Sequence, residues 1–525
     1  MHETAPQLLL GITLAALVVA LSALARRLPI PSPILQVAAG AAIAVIPGLP
    51  IPALSPDVVF FVFLPPILWA AAYFTSLREF RANLRPIGLL AIGLVVATTA
   101  VVALVARALI PGMPWPVAVA LGAIVSPPDA VAAAAIVSLL PVPRRVIVIL
   151  EGESLVNDAS ALVLYRTAVA AAVTGAFSWG ESVVRFFIDA GVGAAIGLAV
   201  GWLVIEAARR TRDSLAEVLL TLAGPYVAWI AAETLHVSAV LACVAGGLYV
   251  RQHLSTAVAP LSRIQARAVW DLLVFTLNAV IFLLLGAQSS ALVADVPPGM
   301  LCATVRAGLV LGVVAIVVRL LWVPLGTWLP RWFDARIRQK EPAPNPKAVV
   351  LVGWTAMRGI VSLASALALP LTLADGSAFP HRGEILLMTV VIVGLTLVVQ
   401  GLTLEPIIRW MRFTPETAHH HEMKLARRET TRRAIETLDD LSREAGVDAR
   451  DVTWLKREMQ ERLAEAQQHG GSEAGRRELR LATIAAQRRM LVRLRNEDAI
   501  SDEVLRELEQ ELDLEAIRVG GGEAR

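Results

Sequence analysis

Apolar runs long enough to cross a bilayer recur from residue 7 to residue 407 and then stop. A spanning helix needs about 17–25 predominantly apolar residues. About 13 such runs are legible by hydropathy. They lie near 7–25, 33–46, 57–75, 87–108, 116–139, 146–173, 183–207, 216–234, 238–250, 269–287, 302–328, 346–370 and 384–407. Hydrocarbon offers backbone N–H and C=O groups no partner, so runs of this kind fold as helices. The expected fold is an all-α polytopic membrane domain over residues 1–412. Residues 413–525 contain no such run and are dense in Arg and Glu. Apolar positions recur there at helical spacing over 422–445, 451–468, 474–495 and 501–517, which predicts a helical cytosolic tail. Only 17% of the 525 residues are charged, against about 25% in a soluble domain. The formal net charge of +3 is small, and no nucleic-acid partner is expected. Cys243 and Cys302 both sit in apolar runs and read as packing residues, not as a disulfide or a metal site. No cofactor is expected.

Loop charges test the span count. Alternate connections hold Arg26 and Arg27, then Arg78, Arg81 and Arg85, then Arg144 and Arg145, and then Arg209, Arg210 and Arg212. Arg251, Arg263 and Arg267 follow, and last Arg331, Arg336, Arg338, Lys340 and Lys347. The intervening loops hold only Arg382, with Arg107, Arg185 and Arg306 at helix ends. The positive-inside rule puts the first set in the cytoplasm. With an odd number of spans, the N-terminus lies outside and the basic tail lies inside. Glu233, Asp189 and Asp271 fall near helix ends and read as interfacial.

Two spans interrupt their own helical pattern. The fifth carries Pro127-Pro128 followed by Asp129, and the twelfth carries Gly353, Arg358 and Gly359. Tandem prolines remove two backbone donors. Broken backbone is tolerated at membrane depth only where protein or a wet cavity satisfies it. Paired interruptions in corresponding places of two halves point to a secondary transporter. These spans are seven apart, so the halves are inverted relative to each other.

The stretch EGESLVNDASALVLYR (151–166) puts Glu151, Glu153 and Asp158 inside the sixth span, although each intramembrane charge costs about 2.5–3.5 kcal/mol or more. At helical spacing, Ser154 and Asp158 share one face, while Glu153 and Asn157 share a neighbouring one. Ser154 and Asp158 thus offer a hydroxyl and a carboxylate to a small hard monovalent cation, with Asp129 close by. A proton competes for the same oxygens, and that competition suffices for antiport. Arg358 stays charged and is expected to pair with Glu153. Glu151 lies nearer the cytoplasmic end and is expected to line an inner funnel.

At these residues the chain resembles the cation:proton antiporters, in particular the NhaP-like branch. The strings are FLPPILWAAAYFTSLREFRANLRPI (63–87), SPPDAVAAAAI (126–136), GESLVNDASALVLY (152–165) and WTAMRGIVSLASALALP (354–370). The likeness extends over most of residues 5–410. The resemblance implies two crossed interrupted helices, a separate dimerisation domain and hence a homodimer in the cell membrane. It implies electroneutral exchange of Na+, with Li+ or K+ as alternatives, for H+. By position it makes Asp158 the ion-and-proton carboxylate, Ser154 a cation ligand, Asn157 the amide of the Asn-Asp pair and Asp129 the acidic residue of the unwound helix. Glu153 and Arg358 become a core ion pair. The chain departs from the pattern twice. Ala70 stands where many relatives have Glu, and Pro128-Asp129-Ala130 replaces Thr-Asp-Pro. Both changes remove ligand atoms, although a main-chain carbonyl remains in the break, and a less tightly held ion such as K+ becomes an alternative.

Other classes stay open on the residues alone. An intramembrane aspartyl protease would use Asp129 and Asp158, but neither sits in a Gly-x-Gly-Asp string. A passive cation channel would conduct without moving protons. A regulatory homologue that no longer transports would also fit Ala70. His419-His420-His421 reads as a polar linker, and Gly246-Gly247 as a place of close helix packing.

Overall fold

The computed structural model describes residues 4–518 except 26, 29, 47–54, 130–139 apart from Ala133 and Val137, 176–178, 212, 289–298, 335–344 apart from Gln339, 414–416, 442–448, 468–472 and 498–501. The chain divides into two compact units, Met1–Pro415 and Glu416–Arg525. No strand forms among the described residues, where Thr372 and Ala378 make one isolated bridge.

The first unit is a bundle of α1 (Thr4–Ala25), α2 (Ser32–Ala44), α3 (Pro56–Phe74), α4 (Leu84–Leu109), α5 (Trp115–Val125), α6 (Arg144–Thr174) and α7 (Trp179–Arg210). It continues with α8 (Ser214–Thr234), α9 (Ala239–Ala257), α10 (Pro260–Ala287), α11 (Leu301–Phe333), α12 (Pro346–Trp354), α13 (Ile360–Leu367) and α14 (Arg382–Met411). Every predicted span meets a helix, with α5 and the α12–α13 pair interrupted where expected. Among the described residues seven helices, α3, α4, α7, α8, α10, α11 and α14, are individually long and apolar enough to cross a membrane. Several run past the hydropathy limits. α9 continues through Arg251, Gln252 and His253 to Ala257, and α10 begins at Pro260 rather than near 269. Polar residues end an apolar run without ending the hydrogen-bonded helix that carries it.

Two stretches widen into π-helix, and in each a side chain of another helix donates to a carbonyl of the wide turn. Pro65 and Pro66 lack N–H groups, so the carbonyls of Phe61 and Val62 lose their α-helical donors. The turn opens over Val59–Phe63, and the Tyr226 hydroxyl donates to the Val62 carbonyl at 3.4 Å. In α4 the wide turn spans Leu89–Leu94, and the Trp322 indole N–H of α11 donates to the Leu89 carbonyl at 3.1 Å. Such bulges interrupt α-helices most often near functional sites.

Gly246 and Gly247 let α9 lie directly on α3. A Cβ on either would collide with the Trp69 ring or with the backbone of Trp69 and the Ala72 side chain. Trp69 is fully buried there. On one side of the bundle, Arg144 donates to both Glu79 carboxylate oxygens at 3.3 and 3.0 Å, and Arg145 Nε to Asn83 Oδ1 at 3.1 Å. These bonds staple the Ser76–Asn83 connection to the start of α6. Further along α6, Arg166 pairs with Glu233 of α8 at 2.9 Å. Cys243 is buried, its thiol 3.4 Å from the Pro225 carbonyl that it donates to. Cys302, by contrast, is exposed on α11 rather than packed.

The second unit holds α15 (Thr417–Leu441), α16 (Ala449–Gln467), α17 (Glu473–Asn496) and α18 (Asp502–Arg518). α15 packs on α16 and α17 on α18. Lys456 pairs with Asp439 and Arg488 with Asp513 across these two contacts. Residues 419–421 are helical, so the histidine run begins α15 instead of linking to it. Most of the break expected at 469–475 lies outside the described residues, and α17 has already begun by Glu473.

Candidate functional site

α5 stops at Val125 and α12 at Trp354, and the chain beyond each is irregular: 126–129 after α5, and 355–359 before α13 resumes. The two breaks meet. The Asp129 N–H donates to the Met357 carbonyl at 2.6 Å. The Arg358 Nε–H donates to the Val125 carbonyl at 3.1 Å, and its Nη1 donates to the Ala356 carbonyl. The Arg358 N–H in turn donates to the Thr396 hydroxyl of α14 at 3.1 Å. Gly359 lies so close to Asp129 that a Cβ there would enter the Asp129 carboxylate. Beyond the first break, Ala133 and Val137 are helical and buried; Ala130, which completes the departing tripeptide, lies outside the described residues.

α6 runs past this crossing and sends its polar residues two ways. Ser154 and Asp158 face a cavity of about 50 Å³, which Asp129, Pro127 and Pro128 also line, with Gly359, Ser362 and neighbouring apolar residues. A single water needs roughly 10–15 Å³, so a small cation fits with a few waters. α3 closes the cavity with Leu64, Ile67, Leu68 and Ala71, all apolar. Ala70 is 2% exposed and stands outside the lining. Asp129 and Asp158 lie close enough to repel one another electrostatically, so a positive charge between them is favoured.

Glu153 and Asn157 leave α6 away from that cavity. The Asn157 side-chain N–H donates to the Pro128 carbonyl at 3.2 Å, so the main-chain oxygen that remained a possible ligand in the break is already engaged by the amide. Glu153 does not pair with Arg358. Its carboxylate takes a two-pronged ion pair from Arg319 of α11, with Nη1 on one oxygen and Nη2 at 2.7 Å from the other. Both side chains are 1% exposed. Arg319 Nε also donates to the Val352 carbonyl at 3.1 Å. Arg358 feels the charges of both Glu153 and Arg319, but its own bonds go to carbonyls. The reason is position: Arg358 sits at the C-terminal end of α5, where unsatisfied carbonyls concentrate about half a negative charge. Arg319 serves the C-terminal end of α12 in the same way and is better placed for Glu153.

Sequence reading missed Arg319 and Ser362. The signal for Arg319 was plain, since an arginine in the middle of the eleventh apolar run asks for a partner as urgently as Arg358 does. Ser362 lies within a quoted motif but carries no special spacing. Glu151 stands outside the cavity lining, half-buried on α6 near Arg144 and Glu79.

A sequence profile described as "Sodium/hydrogen exchanger, transmembrane" matches residues 13–410. An uncharacterised Na+/H+ exchanger of Mycobacterium tuberculosis is 35% identical over 522 residues, covering 97% of this chain and 95% of its own. A sodium, potassium, lithium and rubidium/H+ antiporter of Bacillus pumilus is 32% identical over 520 residues, covering 95% of this chain and 76% of its own. Among solved structures, a sodium–proton antiporter of Methanocaldococcus jannaschii superimposes with a TM-score of 0.61 at 19% identity, over 78% of this chain and 99% of that one. At that identity the likeness concerns the fold.

Proposed function

Because the chain belongs to the sodium/hydrogen exchanger transmembrane family, we propose that it exchanges one monovalent cation for one proton without net charge movement, with Asp158 as the shared site. The observation that carries this reading is the cavity where the two broken helices cross, with Asp158, Asp129 and Ser154 on its wall. The charges around the crossing support the stoichiometry. Two buried arginines, Arg319 and Arg358, stand against three carboxylates, Glu153, Asp129 and Asp158, which leaves one negative charge. One bound cation or one proton neutralises it. The empty site keeps its charge and is too costly to carry through a hydrophobic barrier. Only loaded forms change sides, and alternating access then couples the two gradients. Asn157 holds the break through Pro128 and adds no second carboxylate to the count.

Two features favour broad alkali-cation selectivity. The α3 wall supplies no oxygen ligand, and the Bacillus pumilus relative is named for four alkali cations. The cation is Na+, Li+ or K+, held loosely. A K+-selective exchanger and a non-transporting regulatory homologue remain the alternatives on the same residues. Family membership argues against peptide hydrolysis by Asp129 and Asp158. The loop arginines favour an N-terminus outside and a cytoplasmic tail, in the plasma membrane, with the membrane unit as the antiporter domain. A homodimer is the expected assembly, and Glu151 is expected to line the cytoplasmic approach.

The test is proton movement in everted vesicles or proteoliposomes with an acidic interior. Na+, Li+ and K+ are added in turn to the native protein and to Asp158→Asn. Dissipation by at least one cation, without current, and lost in the variant, is the expected result. Native-like exchange by Asp158→Asn, or no exchange by the native protein between pH 6 and 9, refutes the assignment.

A further inference from the structure

The cavity holds one oxygen that the reading above does not use. Ser362 lies in the first turn of α13, 2% exposed, and lines the same cavity as Asp158, Ser154 and Asp129. Its hydroxyl has no hydrogen-bond partner. Some buried hydroxyls on other helices donate back to a carbonyl three or four residues earlier, as Thr389 does to Ile385, Thr396 to Val393 and Ser160 to Val156, while Thr98, Thr99 and Ser262 do not. Ser362 makes no such bond. Three and four residues before it stand Gly359 and Arg358, which belong to the break and not to a helical turn. What sets Ser362 apart from the other unpartnered hydroxyls is that it lines the cavity beside the Asp129 and Asp158 carboxylates.

We propose that the Ser362 hydroxyl is a ligand to the transported cation, completing on the α13 side a shell that α3 leaves apolar. This rests on the antiport reading and adds a residue to its site. A cation stripped of water asks for oxygen ligands in place of its hydration shell. Among the described residues, the side-chain oxygens on the cavity wall come from Asp158, Asp129, Ser154 and Ser362. A neutral hydroxyl also discriminates between the two cargoes. Its lone pairs help hold a metal cation, whereas a proton on Asp158 needs no such shell. Ser362 therefore tunes cation affinity and leaves the protonation step alone.

The experiment measures the apparent KM for Na+, Li+ and K+ and the maximal rate in proteoliposomes, for the native protein, Ser362→Ala, Ser362→Thr and Ser154→Ala. Expected for Ser362→Ala is an apparent KM raised about three- to tenfold, the range for losing one oxygen contact. The maximal rate at saturating cation stays within about twofold of native. Competition by the cation moves to higher pH, since the proton now wins at lower acidity. Ser362→Thr keeps the hydroxyl and is expected to restore the native KM. If Ser362→Ala keeps the native KM while Ser154→Ala raises it, Ser362 is not a ligand and antiport stands. If Ser362→Ala and Ser362→Thr both lose rate without a change in KM, the residue only packs, and the proposal falls. No cation-driven proton movement by the native protein overturns the antiport reading and this ligand with it.

Discussion

The ion pair between Glu153 and Arg319 can be separated from the pairing with Arg358 by one double-mutant comparison. Glu153 and Arg319 are both 1% exposed and joined by two parallel hydrogen bonds. Removing one partner of such a buried pair leaves the other charge uncompensated, at a cost of about 3–5 kcal/mol. Arg319→Met also removes the Nε donor to the Val352 carbonyl, which keeps the Thr355 hydroxyl as a donor, so the lost bond adds about 0.5–1.5 kcal/mol. At about 2 °C per kcal/mol for a large domain, Arg319→Met should lower the Tm of the detergent-solubilised protein by about 7–13 °C. The assay is brief heating followed by size-exclusion with fluorescence detection, on the native protein, Glu153→Gln, Arg319→Met, Arg358→Met and the two double variants that include Glu153→Gln.

Glu153→Gln combined with Arg319→Met should fall well short of the summed single losses, with a coupling of at least about 4 °C, or roughly 2 kcal/mol. The same comparison with Arg358→Met should give less than about 2 °C, because Arg358 bonds carbonyls and only senses the Glu153 charge at a distance. Glu153 coupling more strongly to Arg358 than to Arg319 would refute the arrangement, and with it the argument that each arginine serves the end of one half-helix.

Two shorter predictions bear on the crossing and on its support. Gly359→Ala puts a methyl into the Asp129 carboxylate, so cation-driven proton movement should fall more than about tenfold, while overpacking costs only about 1–3 kcal/mol of stability; native cation affinity in this variant would show that the close approach is not needed. Trp322→Phe removes the donor to Leu89 and should cost about 1–3 kcal/mol, seen as a Tm loss of a few degrees with the apparent KM unchanged; an altered KM would mean that the α4 bulge reaches the site.

Much of this architecture could be read along the chain, because a bilayer leaves a sequence few choices. Length and apolarity fixed where the helices lie, and Pro127-Pro128 and Gly359 marked the breaks. Helical spacing alone divided α6 into a Ser154–Asp158 face and a Glu153–Asn157 face, and the structure turns the first to the cavity and the second to Arg319 and Pro128. What spacing could not supply was any choice among distant partners. Arg319 finds Glu153 across 166 residues, and Arg358 finds Val125 across 233. Both arginines lie in apolar sequence at comparable depth, so periodicity ranks neither above the other. Ser362 was hidden for a related reason: a serine in an apolar helix can satisfy itself on the preceding turn, and only the three-dimensional structure shows that its hydroxyl lines the cavity instead.

The choice between the arginines follows from electrostatics once the breaks are seen to meet. Each interrupted helix ends among buried residues, and each such end attracts a cation. α5 ends at Val125 and α12 at Trp354, and the two available cations are Arg358 and Arg319. Arg358 is carried on the second break, and the crossing of the breaks delivers it to the end of the opposite helix, α5. It cannot at the same time cap α12, so that end falls to α11, the neighbour packed against it. Glu153 then pairs with the cap of α12, Arg319, rather than with Arg358, the arginine of the break motif. On the proposed antiport, Asp129 and Asp158 are not expected both to stay charged in an empty site while it crosses. Two caps and one counter-ion compensate one further carboxylate, and on the proposed antiport the second is met by the ion or the proton being carried.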